Sequence, residues 1–355
     1  MTQADRPLKK GIAYHSNRLL SHVREDMQEI VQSGFDIVLH TFSHNDWDRH
    51  KNIMKDIFTI TKENGLDVWV DNWGLGGPPG DKSHFLSYYP DAHQIYNTGK
   101  VDPIRVCLNN QDFIKFTKNW IDVVKECGGD TIFWDEPHLV GNHIVDGKPQ
   151  EWSCTCPVCQ KLFEEKYNKP MPMEFTDEIA EFRVDTVARY FTEVSDYAKS
   201  LGMINTICVM LGEGFGINLD SIASLGAVKS LDNIGSDPYW VSSVEGFENT
   251  YRFVYEKTKQ NLEVCEKYGK DHNIWVQGFG NPHGREEEII AATEAIYDAG
   301  ARNIFVWGYR GSDSNDYRAE IPEFAWKATK DAFARITERD RSKRLSEIRK
   351  SLGIE

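Results

Sequence analysis

Eight short apolar runs alternate with amphipathic stretches along this chain. The runs are Gly11–His15, Phe35–His40, Leu66–Asp71, Thr131 into Trp134, Thr206–Leu211, Asn233–Asp237, Asn273–Gln277 and Asn303–Trp307. They are rich in β-branched and aromatic residues, the composition of parallel strands buried on both faces. Between them, apolar positions recur at helical spacing, as in Ile179, Phe182, Val187, Phe191, Val194, Ala198 and Leu201. Gly202 follows as a helix stop, and Gly34, Gly65 and Gly300 sit just before strands two, three and eight. Glu286, Glu287 and Glu288 load the first turn of the seventh helix, where negative charge suits the dipole. Eight such alternations predict an α/β chain closed into a (β/α)8 TIM barrel, with a doubly wound open sheet as the alternative.

Two connections are long. Residues 72–110 follow strand three, and residues 137–175 follow strand four. Loops of that length in a compact domain carry function or a subdomain. The glycine-rich stretch from Gly74 to Gly80 reads as a flexible loop over the barrel mouth. The expected organisation is a disordered arm over 1–10, a barrel over 11–340 with an insertion at 137–175, and a helical tail over 341–355.

Composition narrows the function. The 355 residues are 40% hydrophobic and 27% charged, enough for one large core. A formal charge of -14 repels phosphate backbones, which argues against nucleic acid as a partner. The absence of an 18-residue apolar run argues against a membrane span, and the polar N-terminus lacks a signal core. A cytoplasmic protein is expected, with self-association left open. Neither a phosphate loop of G-x-x-x-x-G-K-[ST] form nor a G-x-S-x-G nucleophile elbow is present.

Of the seven cysteines, three form a C-x-C-x-x-C cluster at Cys154, Cys156 and Cys159. Thiols so spaced converge on one tetrahedral ion. Cys107, in the other long connection, is the best fourth ligand, ahead of His138 and His143. A structural zinc pinning the two loops would offset their ordering entropy. Four thiolates leave no open position for catalysis, and no organic cofactor is expected. Cys127, Cys208 and Cys265 read as interior residues.

The most chemical stretch is Trp134-Asp135-Glu136-Pro137-His138. Two adjacent carboxylates at a strand tip cost several kcal/mol to bury unless paired or used. The C-terminal tips are where a barrel enzyme presents working groups. Glu136 is the candidate proton donor.

These features resemble the zinc-bearing β-galactosidases of clan A glycoside hydrolases. Cys107, Cys154, Cys156 and Cys159 match the order of that family's zinc ligands, and Glu136 matches its acid/base glutamate. The resemblance covers the barrel and the cysteine loop. Two departures stand out: Asp135 occupies the place of an asparagine, and Gln277 that of the strand-seven nucleophile. An amide cannot act as an anionic nucleophile, so a different second group is needed. Asp237 is preferred, then Asp71, with Glu213, Asp313 and Asp316 also at strand ends. A more remote carboxylate acting on water would give inversion.

Substrate contacts are expected from His15, His40, Trp73, Asp135, Glu213, Tyr239, Gln277, Trp307 and Arg310. Sugar rings stack on aromatic faces while their hydroxyls bond amides and carboxylates. Further aromatics near the tips are Trp134, Trp240, Phe279 and Tyr309, and Trp307 resembles the tryptophan that floors the family's sugar pocket. The expected function is a glycosidase acting on a carbohydrate substrate by a non-standard mechanism. The alternatives are an inactive sugar-binding barrel, or a sugar isomerase or lyase holding a divalent ion with His15, His40, Asp71, Glu136 and Asp237.

Overall fold

A computed structural model describes residues 3–15, 17–77, 80–135, 139–209, 224–352 and 354. Its barrel strands are β1 (Lys9–Tyr14), β2 (Ile37–Thr41), β3 (Asp67–Asp71), β6 (Thr131–Asp135), β9 (Ile204–Cys208), β10 (Asn233–Ser236), β11 (Asp271–Gln277) and β12 (Asn303–Trp307). The remaining four make two hairpins: β4 (His93–Ile95) with β5 (Val101–Val106), and β7 (Gly141–Val145) with β8 (Lys148–Trp152). All eight barrel strands pair in parallel, and β1 closes the ring on β12. The closed (β/α)8 reading holds, and the open sheet is excluded.

The two-residue period of each strand divides its side chains between two cores. Ala13, Ile37, Leu39, Trp69, Phe133, Cys208, Trp275 and Phe305 fill the barrel interior. Their neighbours, such as Ile12, Val38, Val70, Ile132, Ile234, Val276 and Val306, face the surrounding helices. Near the axis, the Phe305 ring lies 4.6 Å from Trp69 and 4.8 Å from Trp275, and Trp275 lies 5.1 Å from Phe133, centroid to centroid.

The expected helical stripe is the buried face of helix Asp177–Ser200, which Thr176 caps through the Ile179 N–H. Gly34, Gly65, Gly202 and Gly300 all have positive φ, the left-handed stop that glycine supplies without steric penalty. Glu287 and Glu288 lie in the first turn of helix Glu287–Asp298 as expected, and Glu288 is in addition buried and paired with Arg285.

Described residues near both ends contact the barrel. β1 begins at Lys9, inside the stretch expected to be a disordered arm. Upstream of it, Gln3 bonds Lys270 O and His272, and Arg6 pairs with Asp271 at 2.6 Å. Helix Pro322–Leu352 runs unbroken through the expected boundary at 340/341, with Asp340 bridging Arg302 and Arg344.

The long connections carry structure of their own. The first holds a turn of helix at Phe85–Tyr88 and the β4–β5 hairpin, and the second the β7–β8 hairpin and helix Pro157–Tyr167. A bridge between Tyr96 and Ser153 joins them. The described residues of the glycine-rich stretch are packed. Leu75 is buried, and a Cβ on Gly74 would lie 1.6 Å from the Asp81 carbonyl oxygen.

Candidate active site and metal centre

The inward parity of the strands sends a defined set of groups toward the C-terminal mouth. His15 continues the Gly11–Ala13 series, Asp71 the Asp67–Trp69 series, and Asp135 follows Phe133. Asp237, Gln277 and Trp307 extend β10, β11 and β12 in the same phase. The His15 and Trp73 rings stack with 6.2 Å between centroids and 8° between planes. Trp307 lies 5.3 Å from Trp73 and 5.7 Å from His15, so three rings from strands one, three and eight form one aromatic wall. Burial lowers the His15 pKa to about 4, which keeps its ring neutral near pH 7. Asn315 and Ser314 lie within bonding reach of its Nδ1.

Carboxylates occupy inward positions at the same strand ends. Asp71 is fully buried, and Asn72 beside it accepts the Asp135 backbone N–H at 3.0 Å. Asp237 lines a cavity of 410 Å³ together with Tyr239, Gln277 and Phe279. Glu136, His138 and Glu213 lie outside the described residues.

Several expected contacts fall elsewhere. His40 belongs to the outward phase of β2. It bonds Thr61 at 2.9 Å and packs against Tyr14 and Phe58, away from the mouth. Arg310 pairs with Glu29 on helix Leu20–Gln32 at 2.6 Å, fixing the turn after β12. Trp134 faces outward to Asn205, Trp240 bonds Glu288, and Tyr309 reaches Asp26 and Glu29, so these three aromatics pack behind the wall. Asp313 has a raised pKa, from burial and from the nearby carboxylates Asp26, Glu323 and Glu29, with Arg310 opposing.

Gln277 occupies the strand-seven tip, 7% exposed. Its Oε1 accepts the backbone N–H groups of Trp240 and Val241, and its Nε2 donates to Phe279 O. The amide is thus engaged in local structure, whereas a direct contact to substrate was expected.

The four cysteines converge as the sequence predicts. Cys107, Cys154, Cys156 and Cys159 are all buried, and their sulfurs lie within 4.8 Å of one another. Cys107 Sγ is 3.4 Å from Cys159 Sγ and 3.5 Å from Cys156 Sγ. A tetrahedral ion with bonds of about 2.3 Å needs S···S edges of about 3.8 Å, so this donor set fits one. Hydrogen bonds from Cys107, Cys154 and Cys159 pull the Cys156 thiol far below its ordinary pKa. Asn109 Nδ2 donates to Cys159 Sγ at 3.3 Å. The buried Arg183 guanidinium donates to Leu139, Val140 and Ser153 carbonyls, placing a positive charge beside the cluster. Outer contacts of this kind orient ligands and balance thiolate charge. Sequence reading missed Asn109 and Arg183, because both lie in helical or loop contexts where polar residues are ordinary. The same holds for Lys257, Ser242 and Ser243 beside Asp237.

Solved structures share this barrel. The chain aligns with the β-galactosidase of the psychrophilic Marinomonas ef1 at a TM-score of 0.71 and 13% identity, covering 98% of this chain and 60% of that one. It aligns with the catalytic domain of β-amylase from Paenibacillus polymyxa at 0.63 and 8% identity, covering 91% and 98%. It aligns with the endo-β-1,4-mannanase of Thermotoga petrophila at 0.56 and 10%, covering 92% and 76%. The fold is therefore the closed barrel found in these glycoside hydrolases. No protein-family profile and no curated protein matches the sequence.

Proposed function

We propose that this chain is a carbohydrate-active enzyme that cleaves or transfers a glycosidic bond at the C-terminal mouth of its barrel. The observation that carries this reading is the His15–Trp73–Trp307 aromatic wall at the strand tips, the same end of the barrel to which the inward phase of β3, β6 and β10 brings Asp71, Asp135 and Asp237. Stacking rings beside several carboxylates suit a pyranose undergoing acid-assisted cleavage. Glu136, next in the chain after Asp135, donates a proton to the departing oxygen. Asp237 accepts a proton from the attacking water, with Asp71 as the second candidate. The engagement of Gln277 in local hydrogen bonds supports a mechanism without a strand-seven nucleophile. Cys107, Cys154, Cys156 and Cys159 would hold a zinc ion that pins the two long connections, a structural role apart from the reaction.

Hydrolysis of a panel of nitrophenyl glycosides tests the reading. Glu136→Gln is expected to lower kcat by about 10²- to 10⁴-fold on whichever member turns over. Unchanged turnover in that variant removes Glu136 from the mechanism.

A sugar-binding role without turnover is the second reading, favoured by the same commitment of Gln277. Calorimetric binding with no product after prolonged incubation would establish it. The isomerase reading needs His40 beside His15, and His40 lies against Thr61 in the outer layer. Among the described residues, the cysteine set is the one grouping that could hold a metal ion. No helix among them is long and apolar enough to cross a membrane.

A further inference from the structure

The loop after β10 is held by the next barrel unit. Gln277 Oε1 accepts from Trp240 N at 3.0 Å and from Val241 N at 3.2 Å. Its Nε2 donates to Phe279 O at 3.3 Å, and Asn281 Nδ2 closes that turn onto Gln277 O and Phe279 O. Glu288 accepts from Trp240 Nε1 and from Gly246 N, each at 2.8 Å. Arg285 holds Glu288 through two nitrogens and donates onward to Val241 O and Val244 O. Burial alone would raise the Glu288 pKa. The bonds from Arg285, Gly246 and Trp240 hold it below its ordinary value instead. Buried, charge-assisted bonds of this kind fix geometry better than exposed ones.

The loop so held is one wall of the 410 Å³ cavity lined by Asp237, Tyr239, Ser242, Ser243, Lys257 and Phe279. That volume falls within the usual range for small-molecule sites. Tyr239 and Phe279 meet edge to face, 5.0 Å apart at 89°. They offer aromatic surface, while the aspartate, the lysine and the two serines offer donors and acceptors. A pyranose ring, apolar on its C–H faces and polar at its rim, matches both kinds of surface.

We infer that Gln277 is a positioning residue: with the Arg285–Glu288 pair it fixes the Asp237–Gly246 loop as the wall of a subsite for a neutral hexopyranose ring adjoining Asp237. This inference rests on the carbohydrate reading above. No bond is made or broken at Gln277. A carboxylate there could accept the two N–H groups but, when ionised, could not donate to Phe279 O.

Hydrogen exchange and glycoside titration on the full chain test it. Gln277→Met removes the acceptor and keeps the side-chain length. Exchange at Trp240 and Val241 is expected to accelerate at least about tenfold, the scale of one lost hydrogen bond. Gln277→Glu keeps the acceptor and retains the protection. Methyl β-galactoside, β-glucoside and β-mannoside are the probes. One binds the native chain, binds Gln277→Met about tenfold more weakly, and binds Gln277→Glu within about threefold of native. Unchanged exchange in Gln277→Met overturns the positioning role. Equal affinity in native and Gln277→Met overturns the subsite; turnover that still depends on Glu136 would then leave the glycosidase reading standing. Failure of all three probes to bind overturns the subsite as well. Should Gln277→Met not fold, Ser243→Trp fills the cavity from its exposed rim. It is expected to abolish probe binding with an unchanged melting temperature, and undiminished binding in that variant counts against the proposal.

Discussion

His272 Nδ1 lies 2.9 Å from Gln3 Oε1, joining the first turn of the chain to the floor of the barrel. On the other side of the ring, Nε2 accepts the backbone N–H groups of Arg302 and Asn303 at 2.7 and 3.1 Å. An acceptor at Nε2 requires a neutral ring with its proton on Nδ1. Burial accordingly lowers the His272 pKa to about 4. The folded value lies below the unfolded one of about 6.5, so the unfolded chain binds this proton more readily. Stability is full above pH ~6.5 and falls as the pH drops toward 4, by up to about 3 kcal/mol from this ring. Buried His15 and His40, with pKa values lowered to about 4 and about 3, add to the same slope. Urea midpoints measured across this range are expected to decline more steeply in the native chain than in His272→Gln. Parallel profiles would remove His272 as a source.

The cysteine set makes a stoichiometric prediction. Protein purified without added metal is expected to carry about one zinc per chain by plasma mass spectrometry. Cys107→Ser or Cys156→Ser should lose it. Removing the ion with a strong chelator should lower the melting temperature by about 5 °C or more and expose the β7–β8 hairpin to protease. A full-strength melt in metal-free protein would make the cluster a set of packed thiols.

Arg183 is 2% exposed and ties three carbonyls beside Cys154. Arg183→Met takes this donor from the Leu139 and Ser153 carbonyls, while Val140 O keeps the Ser153 N–H. A loss of about 3 kcal/mol in chemical denaturation is expected, together with weaker zinc retention, since each stranded group costs about 1–3 kcal/mol. Normal zinc content would restrict Arg183 to a packing role.

Trp73 and Trp307 should separate in their effects. Trp307 also packs on Trp275 at 5.6 Å, so Trp307→Ala is expected to cost about 3 kcal/mol of stability as well as binding. Trp73→Ala, in the loop above, should raise KM about tenfold with a smaller stability loss. Steady-state kinetics beside thermal melts distinguish the two. An unaltered KM in Trp73→Ala would remove the stacking platform.

The barrel was legible because its strands are short apolar runs separated by helical stripes and glycine stops. The cysteine cluster was legible because the spacing of three of its members is local and admits few alternatives. The facing of individual tips was harder. In Ile37-Val38-Leu39-His40 both phases are buried, so apolarity cannot say whether His40 looks inward or outward; only the pairing with Leu39 in the interior decides it. Arg310 is turned toward Glu29 by a left-handed turn, φ 49°, just after Trp307, which strand spacing does not reveal. Gln277 stands at the strand end where the sequence placed it. The two N–H groups that its Oε1 accepts, of Trp240 and Val241, lie 37 and 36 residues upstream, a distance that residue spacing does not resolve.

Trp69, Phe133, Trp275 and Phe305 plug the axis of the barrel. Among the described residues, the ring of strands is therefore a cup and not a pipe. For a hydrolase built on this plan, the released sugar and the next substrate queue at one threshold, and the freed product competes directly for the vacated seat.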